Sequence, residues 1–256
     1  MGFESGFEEI LRRDEQLPVR LLGGGSNLLI RSEVVPGLVI HLVKPAFTEI
    51  QVKGQRVIAG GGAKLGHVIS SSVREGLAGL ENLVGIPGTI GGGLRGNAGG
   101  RSGDIGQWTA KATLMTRDGE ILERAGDDLV FAYRLSNLDE LVILSGEFKL
   151  EQDDPAALTK RMQKLWIVKK ANQPLSHQSA GCIFKNPRGM SAGMLIDQAG
   201  LKGTRIGGAE VSDRHANFII ADPEATSQNV LQLIDLVKER VAEKLGVELE
   251  TEIEIW

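Results

Sequence analysis

Gly85-Ile86-Pro87-Gly88-Thr89-Ile90-Gly91-Gly92-Gly93, resumed by Gly96-Asn97-Ala98-Gly99-Gly100, is the stretch on which the reading of this 256-residue chain turns. Ten of the 22 residues from 85 to 106 are glycine. Main chain bare of side chains over that length lets a flat ring or a phosphate lie against it. The competing explanation is close packing of two chain segments. Two glycine triplets stand upstream, at 23–25 and 60–62, each after a short apolar run: Val19-Arg20-Leu21-Leu22 and Val57-Ile58-Ala59. Both runs read as buried strands ending in tight turns. The first continues as Gly23-Gly24-Gly25-Ser26-Asn27-Leu28. It is no Walker A loop, because no Gly-Lys-Ser/Thr follows, and no dinucleotide fingerprint, which needs glycine where Leu28 stands. What remains is a run of backbone N–H donors beside two small polar side chains, suited to an anion or a pyrophosphate.

Composition narrows the classes. The 34 glycines are nearly double the usual share of about 7%, with only 8 prolines and no triplet period, which excludes collagen and a disordered tail. A net charge of −4 argues against nucleic acid as the main partner. A single cysteine excludes an internal disulfide framework and fits a reducing compartment, so a cytoplasmic protein is expected. No apolar run approaches the ~18 residues of a membrane span. The start, Gly2-Phe3-Glu4-Ser5-Gly6-Phe7-Glu8-Glu9, is too acidic for a signal peptide. The four histidines lack metal-ligand spacing, so no metal site is expected.

Around the glycine loops the pattern is α+β. Leu65, Val68, Ile69 and Val73 recur at helical spacing after the second triplet. Strands are expected at 38–43, 112–116 and 141–150, with an Asp118-Gly119 hairpin turn. A helix fits 155–170, with Leu158, Met162, Leu165 and Trp166 on one face. Val230, Ile234, Val237, Val241 and Leu245 form an apolar stripe that Gly246 ends, and 247–256 reads as a strand. Two parts are expected: a ligand-binding region at 1–150, in lobes of about 1–43 and 44–150, and a smaller C-terminal α/β domain at 151–256. Cys182 beside Ile183 and Phe184 reads as a small buried hydrophobe, though small residues before it leave room for a ligand and Lys185 could face an anion. Tyr133, Arg134 and Glu252 are unremarkable by themselves. His215 reads as structural.

Taken together, eight stretches resemble the UDP-N-acetylenolpyruvoylglucosamine reductase (UDP-N-acetylmuramate dehydrogenase, MurB) family. They are Leu-Gly-Gly-Gly-Ser-Asn-Leu-Leu at 22–29, Gly-Ile-Pro-Gly-Thr-Ile-Gly-Gly at 85–92, Asn-Ala-Gly at 97–99 and Phe-Ala-Tyr-Arg-Leu-Ser at 131–136. Then come Ser-Ala-Gly-Cys-Ile-Phe-Lys-Asn-Pro at 179–187, Ala-Gly-Met-Leu-Ile-Asp-Gln-Ala-Gly-Leu-Lys-Gly at 192–203, His-Ala-Asn-Phe-Ile-Ile at 215–220 and Leu-Glu-Thr-Glu-Ile at 249–253. They run in the family's order over nearly the whole chain.

The resemblance implies a FAD-binding unit of the vanillyl-alcohol-oxidase (PCMH) type, followed by the C-terminal substrate domain with its final strand returning to the active site. FAD would be held non-covalently by Gly23, Gly24, Gly25, Ser26, Asn27, Leu28, Ile86, Pro87, Gly88, Thr89, Gly92, Asn97 and Gly99. NADPH would be the hydride donor and an enolpyruvyl sugar nucleotide the acceptor, in peptidoglycan synthesis, with no nucleic-acid or membrane partner and a monomeric state. Arg134 and Glu252 match the family's charge-stabilising pair, and Cys182 stands at the proton donor's position, where most members carry Ser. Tyr133, Lys170, Lys185 and Asn186 match substrate-binding positions. Only 48 positions separate Arg134 from Cys182, which suits the short subtype lacking an extra substrate-covering loop. The family opens with a Thr-rich, Gly-Gly-containing segment, whereas this chain starts almost at the first helix, so either Met1 is a late start or that segment is absent. Two other classes stay open at this stage: another FAD-dependent oxidoreductase on the same scaffold, and a non-catalytic flavin-binding module.

Overall fold

The computed structural model describes residues 17–31, 34–100 and 102–256; the expected start at a first helix lies outside the described residues. The chain divides into two compact units. One comprises the described residues up to Gly24 together with Pro36–Trp166, the other Gly25–Val35 and Ile167–Trp256. This differs in two places from the break expected at 150. The first difference is that the boundary falls inside the helix Pro155–Asn172, because Leu158 is fully buried in the first unit's core and Met162 packs against that core. The second is that residues following the first glycine triplet belong with the C-terminal unit. Leu28–Leu29 pairs in parallel with Glu254–Ile255, and the pairing is extended by Arg31 N–H donating to the Trp256 carbonyl at 2.7 Å.

In the first unit a five-stranded sheet is ordered Ile121–Ala125, Thr109–Met115, Val142–Lys149, Arg56–Gly60, Ile50–Lys53, every neighbouring pair antiparallel. The hairpin turn expected at Asp118-Gly119 joins the first two strands, with Gly119 at φ 85. The helix Leu65–Arg74 lays Leu65, Val68, Ile69 and Val73 on the core, as its 3.6-residue spacing predicts. A separate parallel pair, Val19–Leu22 with Leu38–His41, packs on a small cluster of Leu42, Met115 and Val142. Val19–Leu22 is half-buried rather than buried and Leu38–His41 alternates half-buried with exposed residues, because the sheet they form has only two members. On the long helix, Trp166 is 41% exposed, so the expected apolar face covers the core only near its start.

The second unit is built on the helix Ser227–Leu245. Thr226 caps it in a reciprocal box with Asn229, and Gly246 closes it in the left-handed conformation (φ 67) that favours glycine. Its buried face is Val230, Leu233, Ile234, Val237 and Val241, each worth about 1.5–3 kcal/mol on burial. A three-stranded sheet (Arg205–Ile206, Ala209–Val211, Ile219–Ala221) and the helix Ala192–Gln198 complete the core. The segment expected as one strand at 247–256 is instead split between two partners. Thr251 bridges Phe184, and only Glu254–Ile255 forms a strand, on Leu28–Leu29.

Candidate active site

The glycine stretches of the first unit meet one another. A Cβ on Gly23 would lie 2.8 Å from Thr89 Oγ1, and one on Gly24 would lie 2.9 Å from the Gly88 Cα. The second triplet sits even closer to backbone: a Cβ on Gly61 would lie 1.9 Å from the Ile143 carbonyl oxygen, and one on Gly62 would lie 1.9 Å from that of Leu42. Gly91 N–H donates to the Gly61 carbonyl at 2.7 Å. Close segment packing, the plainer explanation of these glycines, therefore accounts for part of the pattern. The packing shapes a cleft of about 90 Å³, lined by Leu21, Leu22, Gly23, His41, Leu42, Gly61, Gly62, Thr89, Gly91, Gly92, Arg95 and 141–143. Of the first loop's glycines, Gly25 alone has positive φ, so Gly24 is needed for its contact with Gly88 and not for its dihedrals.

These residues fit FAD. The cleft wall is apolar backbone and leucine, Arg95 and His41 are its ionisable members, and no carboxylate lines it, as a diphosphate requires. Among the described residues the N–H groups of Gly24 and Gly25 donate to no protein acceptor. Neither 23–28 nor 85–99 contains a His or Cys that could tether the cofactor. Gly61, Gly62, His41, Leu42, Arg95 and 141–143 were not foreseen as lining residues. The second triplet is the available signal; it is the turn before the helix Leu65–Arg74 that its sequence predicts, and it lines the cleft as well.

The other expected cofactor residues divide. Thr89 is buried and caps the helix Ile90–Arg95, its hydroxyl accepting from Gly92 N–H, while Gly88 touches Gly24 and Pro87 is exposed. Ile86 packs on the core. Gly99 pairs in a small hairpin with Asp104, where a Cβ would lie 2.5 Å from the Asp104 Cβ. The Asn97 side chain is 2% exposed and committed inside the protein.

Arg134 lies in the first unit, half-buried at the tip of a two-stranded hairpin formed by Phe131–Ala132 and Leu135–Ser136. Its guanidinium sits 5.1 Å from the Tyr133 ring centre, and Tyr133 is exposed. Its backbone is left-handed (φ 56), a strain of about 1–3 kcal/mol for a residue with a side chain.

In the second unit one ladder gathers the remaining candidates. The Cys182 backbone bridges Phe218, and Phe184 bridges Thr251. Glu252 N–H donates to the Ile183 carbonyl at 2.7 Å, and the Glu252 carbonyl accepts from Asn27 Nδ2 at 3.1 Å. Ser26 lies opposite Gly181, whose Cβ position is 3.7 Å from the Ser26 carbonyl. These contacts make the segments bearing Ser26, Asn27, Cys182 and Glu252 neighbours, and Cys182 and Glu252 are both half-buried. Asn217, 3% exposed, pins this ladder with two side-chain bonds: Oδ1 accepts from Phe184 N–H at 2.9 Å and Nδ2 donates to the Phe184 carbonyl at 2.8 Å. Lys185 is ion-paired with Glu250, and Asn186 Oδ1 accepts from Ala192 N–H at 2.9 Å, so both carry local structure. Lys170 is exposed near the end of its helix, its carbonyl 3.4 Å from Arg214 Nη1. Burial lowers the ammonium pKa of its neighbour Lys169.

The fold and cradle define a FAD-binding protein, and residues 8–124 match the family model described as FAD binding domain. Residues 173–256 match that of UDP-N-acetylenolpyruvoylglucosamine reductase, C-terminal domain. The chain is 44% identical to UDP-N-acetylenolpyruvoylglucosamine reductase 2 of Symbiobacterium thermophilum, over 96% of this chain and 80% of that one. It is 41% identical to the Rhodopirellula baltica reductase, over 95% and 80%. The crystal structure of the Thermus caldophilus enzyme (MurB) superposes with a TM-score of 0.83 at 38% identity, covering 97% of this chain and 89% of the other. This chain belongs to the UDP-N-acetylenolpyruvoylglucosamine reductase family.

Proposed function

We propose that this chain reduces UDP-N-acetylglucosamine enolpyruvate to UDP-N-acetylmuramate with NADPH, in the cytoplasm, for peptidoglycan synthesis. Family membership over 96% of the chain supports the activity. The observation that supports the assignment of roles is that Glu252 N–H bonds to the carbonyl of Ile183, the residue after Cys182, while the Asn27 side chain bonds to the Glu252 carbonyl. FAD, held against the glycine loops, would supply the hydride chemistry between NADPH and the enolpyruvyl group.

Delivery of that hydride builds negative charge on the carbon beside the carboxylate. Arg134, permanently cationic and a fork of planar donors, stabilises the enolate as the charge develops. Glu252, in a protonated or proton-sharing state, supports the same charge. Cys182 donates a proton to the carbon; a thiol is largely protonated near neutral pH yet more acidic than the family's usual hydroxyl. Tyr133, Lys170, Lys185 and Asn186 bind the sugar nucleotide, and the amide nitrogen of Asn186 is the donor it offers.

The test separates two half-reactions by anaerobic stopped-flow. Arg134→Ala and Glu252→Ala are expected to leave bleaching of the flavin by NADPH largely intact. Recovery of its absorbance on adding the enolpyruvyl sugar nucleotide should slow by roughly 10²–10³, the worth of one charge-stabilising group. Equal slowing of both half-reactions would assign these residues to flavin binding or structure. Bleaching without recovery in the unaltered protein would overturn the substrate.

A further inference from the structure

We propose that Asn97 is a positioning residue for Arg134, fixing the hairpin that presents the arginine, and is not a cofactor ligand. The proposal rests on the reading of Arg134 as the group that stabilises charge on the substrate. Among the described residues, Asn97 (φ 43) and Arg134 (φ 56) are the two non-glycine residues with left-handed backbone. Such outliers persist only where their surroundings over-determine them, and they cluster at working sites.

One network joins the pair. Asn97 Nδ2 donates to the carbonyl of Ala132, two residues before Arg134, at 2.8 Å, and Asn97 Oδ1 accepts from Gly106 N–H at 3.0 Å. Gly106 has no room for a side chain: a Cβ there would lie 2.5 Å from Phe131 Cγ and 2.9 Å from Asn97 Oδ1. The other strand of the hairpin is moored as well, since Ser136 Oγ donates to the Arg95 carbonyl at 2.9 Å. Both moorings, Arg95 and Asn97, stand at the end of the short helix Ile90–Arg95, with Gly96 as its cap. The same helix lines the flavin cleft with Thr89, Gly91, Gly92 and Arg95. A single rigid element thus fixes the arginine's hairpin relative to the cleft.

The plain alternative is a helix C-terminus that wants a left-handed residue, which asparagine tolerates. That accounts for φ, but not for a buried amide whose donor and acceptor are both spent on the hairpin and Gly106. Glycine separates the two. It is the most favourable residue at a left-handed position, so if backbone geometry were the whole role, Asn97→Gly would be as stable and as active as the parent.

The experiment compares Asn97→Gly, Arg134→Ala and the double variant as FAD-loaded proteins. Asn97→Gly should retain parental FAD affinity, read by fluorescence titration, and a parental rate of NADPH bleaching. Its reoxidation by the enolpyruvyl sugar nucleotide should slow about 10- to 100-fold, the penalty of misplacing a catalytic group by about an ångström. The double variant should reoxidise no more slowly than Arg134→Ala alone, because the asparagine acts through the arginine. Parental reoxidation in Asn97→Gly, multiplying effects in the double variant, or a loss of FAD affinity would each overturn the proposal. Parental reoxidation in Arg134→Ala would instead overturn the reading of Arg134, and the proposal with it. Asn97→Asp, which keeps the acceptor for Gly106 but opposes an oxygen to the Ala132 carbonyl, should give the same pattern and serves if the glycine variant does not fold.

Discussion

The first unit prepares for its ligand by leaving side chains out. At Gly24, Gly61 and Gly62 even one methyl group would enter another stretch of backbone, and the cleft exists because those stretches approach so closely. The second unit prepares by bonding: Asn217 holds the Phe184 peptide groups, Glu252 holds Ile183, and Asn27 holds Glu252. The difference teaches which kind of damage each can absorb. A steric cradle fails completely when one atom is added, whereas a hydrogen-bonded ladder loses its links one at a time.

Gly24→Val is the severest way to break this contrast. It places branched bulk where the Gly88 Cα stands 2.9 Å from the Cβ position, and purified protein should carry no flavin absorbance before or after added FAD. Retained FAD would show that the cradle does not depend on this contact. Next in size is Cys182→Ala. It should bleach with NADPH as the parent does and lose about 10²–10⁴ in reoxidation, the usual worth of a positioned general acid. Cys182→Ser should keep measurable turnover, since a hydroxyl there can still donate a proton. Near-normal turnover in the alanine variant would make Cys182 a packing residue. The smallest effect is expected for Asn217→Ala, which strips partners from the buried Phe184 N–H and C=O. Urea unfolding should register a loss of roughly 1–3 kcal/mol, with the FAD content unchanged. A variant that lost FAD in proportion to stability would erase the contrast.

Much of the fold was legible in the chain. The helices Leu65–Arg74 and Ser227–Leu245, the Gly246 stop and the Asp118-Gly119 hairpin follow from periodicity and turn chemistry, which are properties of neighbours in sequence. The glycine runs mark where backbone approaches backbone, and eight motifs in order announce the family. Harder to read were residues whose meaning depends on a distant partner. Gly60-Gly61-Gly62 is indeed the turn that leads from the strand Arg56–Gly60 to the helix Leu65–Arg74, but nothing local reveals that Ile143 and Leu42 also press against it. The family resemblance makes Asn97 a cofactor residue, and nothing local reveals that its side-chain amide bonds to the carbonyl of Ala132, 35 residues away, and accepts from Gly106 N–H.

What the amino-acid order settled by itself is where strands, helices and bare backbone fall, since those depend on side-chain period and on which residues tolerate a left-handed turn. What the tertiary structure alone decided is company. It sent residues 25–35 to the C-terminal unit through a parallel pairing with Glu254–Ile255, split the last ten residues between two partners, and set Asn27 against the carbonyl of Glu252, 225 positions on. The physical reason is that a hydrogen bond or a van der Waals contact responds to distance in space, and no periodicity of the chain encodes which remote carbonyl or Cα will be brought within 3 Å.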